Sequence, residues 1–202
     1  MVLLTPAAAL AQSTKAATYI TDEQVKSVNA LPGVDRQIVS TDIGKLNMSV
    51  GINHRGAITA PRPAGAAPPA AAAAAAAESC GMANSAAPAP GTATGIAHDH
   101  QTETYIIVSG GGTLVTGGHI ANGRKSAPDS QVTTTLNGPS CSGRIEGADV
   151  VKKVVKPGDI VIIPAGVPHG WIDIADHVDY LSVRPDPDRV LPSDYVNPAL
   201  KK

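Results

Sequence analysis

Histidine and glutamate side chains that could bind a metal ion lie close together near the middle of the chain. The stretch GIAHDHQTETYIIVSGGG, residues 95–112, places His98, His100 and Glu103 just before a β-branched run that ends in glycines. His169 lies far along the chain and offers a further imidazole. Two or three neutral imidazoles and a carboxylate leave open positions on a divalent first-row metal ion. The same stretch also fits a polar loop that enters a strand, and both interpretations stay open at this point.

Strand geometry decides which of these side chains point into one cavity. In an extended strand His98 and His100 lie on the same face, about 6.6 Å apart along the chain, so both reach a common ion. Glu103 has the opposite parity, and it joins the histidines only if a bulge or turn at residues 101–102 resets the alternation.

The composition is that of one soluble domain without a nucleic-acid partner. The 202 residues are enough for a single domain with its own core. The 16 Lys and Arg residues nearly balance the 17 Asp and Glu residues, and no basic stripe is present, which argues against a nucleic-acid binder. Phenylalanine is absent, and one Trp and four Tyr supply the larger aromatic rings. Val, Ile, Leu and Ala must therefore build the core, which suits β-structure.

The N-terminus and the cysteines indicate an exported protein. The opening residues MVLLTPAAALAQ resemble the end of a secretory signal with a small-x-small cleavage pattern. We therefore expect residues 1–11 to be a truncated signal peptide and the protein to be periplasmic or secreted. Cys80 and Cys141 are expected to form a disulfide in an oxidising compartment, with two free thiols as the alternative. No run approaches the ~20 apolar residues of a membrane helix, so no membrane span is expected.

Residues 12–59 are predicted to hold a short helix and two strands. The helix begins after Thr21, whose capping box is closed by Gln24, and it ends at about Leu31 before Pro-Gly. The two strands are RQIVS and NMSVGINHR. In the second strand the side chains of one face alternate with those of the other. The first face carries Met48, Val50, Ile52 and His54, and the second carries Ser49, Gly51, Asn53 and Arg55.

The rest of the chain divides into a linker, a core and a tail. Residues 60–90 are a low-complexity linker rich in Ala, Pro and Gly. Residues 91–185 are β-rich, with an irregular insertion expected at about residues 119–148, and residues 186–202 form a C-terminal tail. Short strands between Gly, Pro and Asp turns, without amphipathic helices between them, favour an antiparallel sandwich or barrel.

Two short patterns within residues 95–175 resemble the two motifs of the cupin superfamily. The second pattern has the family's spacing throughout, with an Asp at its end where the family usually has Asn. The first pattern matches from Glu103 to Gly110, but only two residues separate His100 from Glu103, where the family normally has three or four. The second pattern consists of Gly158, Pro164, Ala165, Gly166, His169 and Asp173.

The resemblance implies an all-β fold, a double-stranded β-helix or jelly-roll barrel, here with a short N-terminal helix and a long Ala/Pro-rich loop. It also implies one divalent transition-metal ion, Fe, Mn, Cu, Ni or Zn, held by His98, His100, Glu103 and His169. Glu103 is in addition the candidate catalytic group, as a proton shuttle. In an alternative register His98 takes the place of the family's second histidine, Ile96 replaces the first, and His100 is an outlying loop residue.

Five further residues are weaker candidates for a substrate pocket. His54 shares a face with Val50 and Ile52, and Trp171 alternates with His169 in one strand. The tyrosines lie within strands, and an arginine is a candidate partner for an anionic substrate. For each of them core packing or solvation is the alternative. The five residues are His54, Tyr105, Trp171, Tyr180 and Arg184.

Two functions of different classes fit the resemblance. One is a metal-dependent enzyme that acts on a small organic molecule, of the oxygenase, decarboxylase or isomerase type, with a dioxygenase-like oxidoreductase as one form. The other is a non-catalytic module that binds a sugar or a small acid. Related barrels commonly pair, so a homodimer through RQIVS or NMSVGINHR is also expected.

Overall fold

The computed structural model describes residues 16–58 and 78–201. The predicted signal peptide at residues 1–11 and residues 60–77 of the linker lie outside the described residues. Within the described ranges no helix has both the length and the apolar character needed to cross a membrane.

The N-terminal helix α1 spans Asp22–Asn29 and follows the predicted cap. The Gln24 backbone N–H donates to the Thr21 hydroxyl over 3.3 Å, and the Thr21 backbone N–H donates to the Gln24 side chain over 2.9 Å. This reciprocal capping box satisfies two backbone donors at the first turn. Val28 of this helix is fully buried. The predicted helix is therefore confirmed, although it ends two residues before Leu31.

Within residues 16–58 and 78–201, twelve strands form two antiparallel sheets that pack face to face. The five-stranded sheet has the order β1-β2-β12-β5-β10, and the seven-stranded sheet has the order β3-β7-β8-β4-β11-β6-β9. This architecture confirms the predicted all-β jelly-roll barrel with a short N-terminal helix. The strands are β1 Asp35–Asp42, β2 Asn47–Ile58, β3 Ser79–Cys80, β4 Thr94–His98, β5 Glu103–Gly110, β6 Gly112–Thr116, β7 His119–Lys125, β8 Ser140–Glu146, β9 Val151–Val155, β10 Ile160–Ile163, β11 His169–Ile172 and β12 Ile174–Asp186.

The predicted irregular insertion is partly wrong. Residues 119–148 contain β7 and β8, which pair with each other, and β8 also pairs with β4. The intervening residues include one turn of π-helix at Val132–Leu136. A disulfide joins Cys80 to Cys141, with 6.0 Å between their Cα atoms. The predicted pairing of the cysteines is thus confirmed, and it ties β3 to β8.

Apolar side chains fill the barrel interior and also cover both outer faces. The interior cluster contains Tyr105, Trp171 and Tyr180 among aliphatic residues. A second cluster lies on the outer face of the seven-stranded sheet, beside Cys141. A third lies on the outer face of the five-stranded sheet, where Val28 of α1 packs with residues of β1 and β2. Many apolar side chains therefore lie outside the barrel interior, which leaves part of the interior for polar side chains.

The two long edges of the five-stranded sheet differ. The C-terminal tail runs along β1, where the Ser40 N–H donates to the Tyr195 carbonyl and the Asn197 N–H donates to the Ile38 carbonyl. At the opposite edge, β10 exposes Ile160 and Ile162 to 64% and 68%. Edge strands with exposed apolar side chains favour pairing with another chain.

Candidate metal centre

Three strand ends bring His98, Glu103 and His169 together inside the barrel. His98 is the last residue of β4, Glu103 the first of β5 and His169 the first of β11. One ligand atom of each lies within 4.8 Å of the others. All three side chains are buried, with 1%, 1% and 4% exposure. Three of the four side chains predicted to bind one ion therefore lie in one buried cluster.

The chain crosses from one sheet to the other between His98 and Glu103. β4 belongs to the seven-stranded sheet and β5 to the five-stranded sheet. The parity that separates these residues in a continuous strand therefore does not apply. His100 lies in the crossing turn, where its side chain is 59% exposed and its Nδ1 is 2.7 Å from the Asp188 carboxylate.

The structure thus corrects the prediction that His100 joins the ligand set. This histidine lies in the turn between two strands and faces solvent, whereas the two buried histidines are anchored at strand ends. Its position corresponds to the alternative in which His100 is an outlying loop residue.

Glycines allow β4 and β11 to approach closely enough to place the two histidines together. A Cβ atom on Gly95 would lie 2.1 Å from the His169 carbonyl oxygen, and one on Gly170 would lie 2.3 Å from the Thr94 carbonyl oxygen. The second motif also bonds to the first, because the Gly166 N–H donates to the His98 carbonyl over 2.8 Å. Gly166 has a φ of 80°, which favours glycine.

Hydrogen bonds at Nδ1 fix how both imidazoles are presented. The Ser140 hydroxyl donates to the Gly138 carbonyl over 2.9 Å, so its oxygen accepts from His98 Nδ1 at 2.9 Å. His169 Nδ1 lies 3.0 Å from the Val167 carbonyl oxygen, which only accepts. In the tautomer with hydrogen on Nδ1, each ring turns its Nε2 lone pair toward Glu103. Such anchoring is typical of metal-bound histidines.

Acceptor atoms converge at the centre of the cluster. His98 Nε2 lies 3.2 Å and His169 Nε2 lies 3.0 Å from Glu103 Oε2. Despite that short distance, the buried Nε2 of His169 makes no hydrogen bond of acceptable geometry among the described residues. Two imidazole lone pairs and a carboxylate repel one another unless a cation lies among them. These atoms therefore fit a divalent transition-metal ion.

The second oxygen of Glu103 is held by the barrel wall. Arg184 Nε donates to Oε1 over 2.6 Å, and the Ser182 hydroxyl donates to the same oxygen over 3.0 Å. The Arg184 guanidinium also pairs with Asp35 at 2.6 Å. Burial raises the pKa of Glu103 and the charge of the neighbouring Arg184 lowers it, and the pKa lies well below its usual value. Glu103 is therefore an ionised carboxylate.

Aromatic residues pack on the inner side of the cluster. The Tyr105 hydroxyl donates to Glu103 Oε2 over 2.8 Å. Burial, and next the charge of Glu103, raises the pKa of Tyr105 well above its usual value, so the hydroxyl keeps its proton. Tyr180 packs between Tyr105 and Trp171, with ring centroids 4.2 Å and 5.3 Å away. Of the five weaker candidates, Tyr105 and Arg184 therefore contact Glu103, and Tyr180 and Trp171 pack behind Tyr105.

The fifth weaker candidate, His54, faces the other way. Its face of β2 packs under α1, where Ile52 is fully buried. The polar face of β2 points into the barrel, and there Arg55 Nε donates to the Tyr180 hydroxyl over 3.0 Å. His54 lies on the outer face, 45% exposed and 2.7 Å from Asp179. The proposed place of His54 in the metal-site pocket is therefore wrong.

Sequence reasoning missed the residues that support the ligands. Ser182 alternates with Arg184 along β12, so their shared face was readable once Arg184 was chosen. Asp35 and Ser140 begin β1 and β8 and carry no local signal of their role. Asp173, at the family's usual Asn position, has a φ of 52°, which Asp and Asn adopt more readily than most residues.

Comparison with known proteins gives similarity at the level of structure. No family model and no curated protein matches the sequence. A Klebsiella pneumoniae protein with a double-stranded beta-helix domain is 14% identical, with 86% of this chain and 93% of that protein covered and a TM-score of 0.37. A cupin-like protein from Thermotoga maritima is 11% identical, with 78% and 71% covered and a TM-score of 0.35. A Bacillus halodurans protein is 10% identical, with 89% and 88% covered and a TM-score of 0.39.

The observed architecture agrees with the sequence motifs independently of these similarities. Two antiparallel sheets form the barrel, and the two motif segments meet through the bond from Gly166 to His98. The fold and the motif positions together support the resemblance of this chain to the cupin superfamily.

Proposed function

We propose that the protein binds one divalent transition-metal ion, Fe, Mn, Cu, Ni or Zn, through His98, Glu103 and His169 and acts on a small organic molecule. The observation that carries the proposal is the buried convergence of two imidazole Nε2 atoms on one carboxylate oxygen. Three protein ligands leave positions open for a substrate atom or water.

The surrounding residues suit such a site. A bound ion would act as a Lewis acid or redox centre toward an oxygen-bearing substrate, in an oxygenase, decarboxylase or isomerase type of reaction. Arg184 and Ser182 hold Oε1 of Glu103, so only Oε2 is turned toward the histidines. The low pKa of Glu103 favours the role of ligand over that of proton shuttle. The nearest proton is the one that the Tyr105 hydroxyl donates to Oε2.

Burial of the cluster favours a second candidate, a non-catalytic binding module with a structural ion. His98, Glu103 and His169 are 1–4% exposed, and the rings of Tyr105 and Tyr180, whose centroids lie 4.2 Å apart, occupy the neighbouring interior. A structural metal site is closed by protein ligands, whereas a catalytic site keeps a position open to substrate. In this alternative the barrel binds a sugar or small acid without transforming it.

Metal analysis of protein purified from its native compartment tests the ion. We expect close to one equivalent in the wild type, and a loss of at least about tenfold in metal affinity for His98→Ala and His169→Ala. His100→Gln is the matched control, because this histidine is exposed two residues from His98. Sub-stoichiometric metal in the wild type, or unchanged metal in both alanine variants, would contradict the proposal.

Turnover separates the two candidates once metal is present. Oxygen consumption and product formation would be measured with panels of catechols, flavonols and keto acids. Metal-dependent turnover of any panel member supports the enzyme. Stoichiometric metal and saturable ligand binding without turnover favour the binding module.

The protein is further proposed to be exported and to form homodimers. The disulfide between Cys80 and Cys141 supports export, because such bonds persist in oxidising compartments. Fractionation of cells that make the full protein checks this proposal of export.

Exposed Ile160 and Ile162 on edge strand β10 support pairing of two chains. The tail that covers β1 makes RQIVS a less favourable contact. Sedimentation of the wild type and of Ile162→Lys checks the dimer.

A further inference from the structure

A cavity lies outside the barrel, between α1 and the outer face of the five-stranded sheet. Its volume is about 630 Å³, within the usual range for small-molecule sites. The C-terminal part of α1 and the loop after it form one wall, and His54, His177 and Asp179 line the other. On β12, His177 and Asp179 alternate with the buried residues Val178 and Tyr180. The cavity and the metal centre therefore lie on opposite faces of the same strand.

The side-chain acceptors of this cavity are already used. Asp179 accepts a hydrogen bond from the Ser109 hydroxyl over 2.7 Å, and its other oxygen lies 2.7 Å from His54 Nδ1. The Asn29 side-chain oxygen accepts from Arg36 over 2.5 Å. A ligand that needs acceptors would have to displace these bonds.

Donor groups, in contrast, remain available. Arg36 lines the cavity, is 7% exposed and gives hydrogen bonds only to neutral oxygens, among them the Leu31 and Gly33 carbonyls. Its Nε has no partner, and within the described residues no carboxylate lies within 4.0 Å of its guanidinium. The neighbouring Asp35 pairs with Arg184 instead. Asp35 and Asp179 act on the Arg36 charge only from a distance, and a buried guanidinium without a carboxylate in contact is costly unless an anion joins it.

The other basic side chains that line the cavity, in contrast to Arg36, each have an acidic partner. Lys26 pairs with exposed Asp22 at 2.5 Å and keeps further N–H donors. His177 contacts Asp176 and Ser109 through its two ring nitrogens. When His54 is protonated its Nε2–H is free to donate, because Nδ1 faces Asp179. Each of these three side chains has a carboxylate in contact, so Arg36 is the one basic side chain among the described lining residues without such a contact.

We propose that this cavity binds a small oxyanion, a carboxylate or a phosphate group, through Arg36 and His54. Arginine offers planar, charged donors that match the oxygens of either group. The site does not depend on the metal centre, because no residue belongs to both.

Calorimetric titration of the full chain with inorganic phosphate and, separately, with succinate tests the proposal at low ionic strength. We expect saturable binding of at least one probe with one site per chain, and the probe that binds more tightly identifies the class. His54→Gln and Arg36→Lys should each weaken binding about tenfold, as expected for loss of one charge-assisted hydrogen bond. His100→Gln is the matched control and should bind like the wild type.

One further variant separates this site from the metal centre, since both probes also bind metal ions. His169→Gln removes a proposed metal ligand and should leave oxyanion binding unchanged. Circular dichroism of each variant verifies that the fold is kept, and His54→Gln changes only a half-exposed side chain. The proposal is overturned by absence of saturable binding for both probes. It is equally overturned by full affinity in His54→Gln, or by loss of binding in His169→Gln alone.

Discussion

The two faces of β12 carry polar clusters that differ in how they are paired. On the inner face Ser182 and Arg184 contact Glu103, and both side chains are at most 1% exposed. On the outer face His177 and Asp179 are only partly buried and remain accessible to solvent. Backbone alternation places Asp179 and Ser182 on opposite faces although both belong to one strand.

The difference shows that burial, more than residue type, decides what a polar contact is worth. A buried carboxylate must find charge and donors within the protein, since water cannot replace a lost partner. Partly exposed groups exchange partners with water at little cost. The inner cluster should therefore be intolerant of substitution, while the outer cluster should tolerate it and remain open to ligands.

The largest expected effect is that of Arg184→Met. This change leaves Glu103 and Asp35 as buried or nearly buried carboxylates without their shared cation. Breaking a buried ion pair from one side typically costs about 3–5 kcal/mol of unfolding free energy. Urea unfolding followed by circular dichroism measures this loss.

Lys26→Met is the solvent-exposed counterpart, because it removes the pair with Asp22 on the surface of α1. Its urea midpoint should match that of the wild type. Equal losses of unfolding free energy in the two variants would show that burial does not decide what these ion pairs contribute.

Local sequence signals were enough for much of the fold. Three features depend on residues close in sequence, namely the Thr21 capping box, the alternation in β2 and the Pro-Ala-Gly turn before His169. By contrast, β7 and β8 are held by partners far along the chain, including the bond between Cys80 and Cys141, and short polar strands give little local signal.

The candidate site was predictable in its residue types but not in its geometry. Parity relates side chains only within one strand, and the crossing between sheets after His98 cancels it for Glu103. Alternation in β2 shows which residues share a face, but not which face is the barrel interior. The apolar face carrying His54 is covered by α1, a contact that no local pattern encodes.

A smaller effect is expected from pH, and it should arise on the inner face. Burial lowers the pKa of His98 below 6.5, so the native protein binds fewer protons there than the unfolded chain. This contribution to stability is complete above pH 6.5 and is lost as pH falls through the lowered pKa, with a slope of at most about 1.4 kcal/mol per pH unit. Glu103 adds a second loss below pH 4.5.

Urea titrations of chelator-treated protein between pH 7 and pH 5 measure the slope. His98→Gln should flatten it, whereas His100→Gln should keep it, because that ring is exposed. A slope that His98→Gln leaves unchanged would assign the acid sensitivity to another group.

The smallest expected difference separates two serines that both donate to a carboxylate. Ser182, on the inner face, is fully buried and donates to Glu103 over 3.0 Å. Ser109, on the outer face, is part-buried and donates to Asp179 over 2.7 Å. Hydrogen bonds to charged groups contribute about 1.5–3 kcal/mol when buried, so Ser182→Ala should cost in that range. Ser109→Ala should cost about 1 kcal/mol less, because water can take the place of its hydroxyl despite the shorter bond.

Unfolding free energies of the two alanine variants at pH 7 give this difference directly. A larger loss for Ser109→Ala would mean that bond length outweighs burial, and the contrast between the faces of β12 would fail.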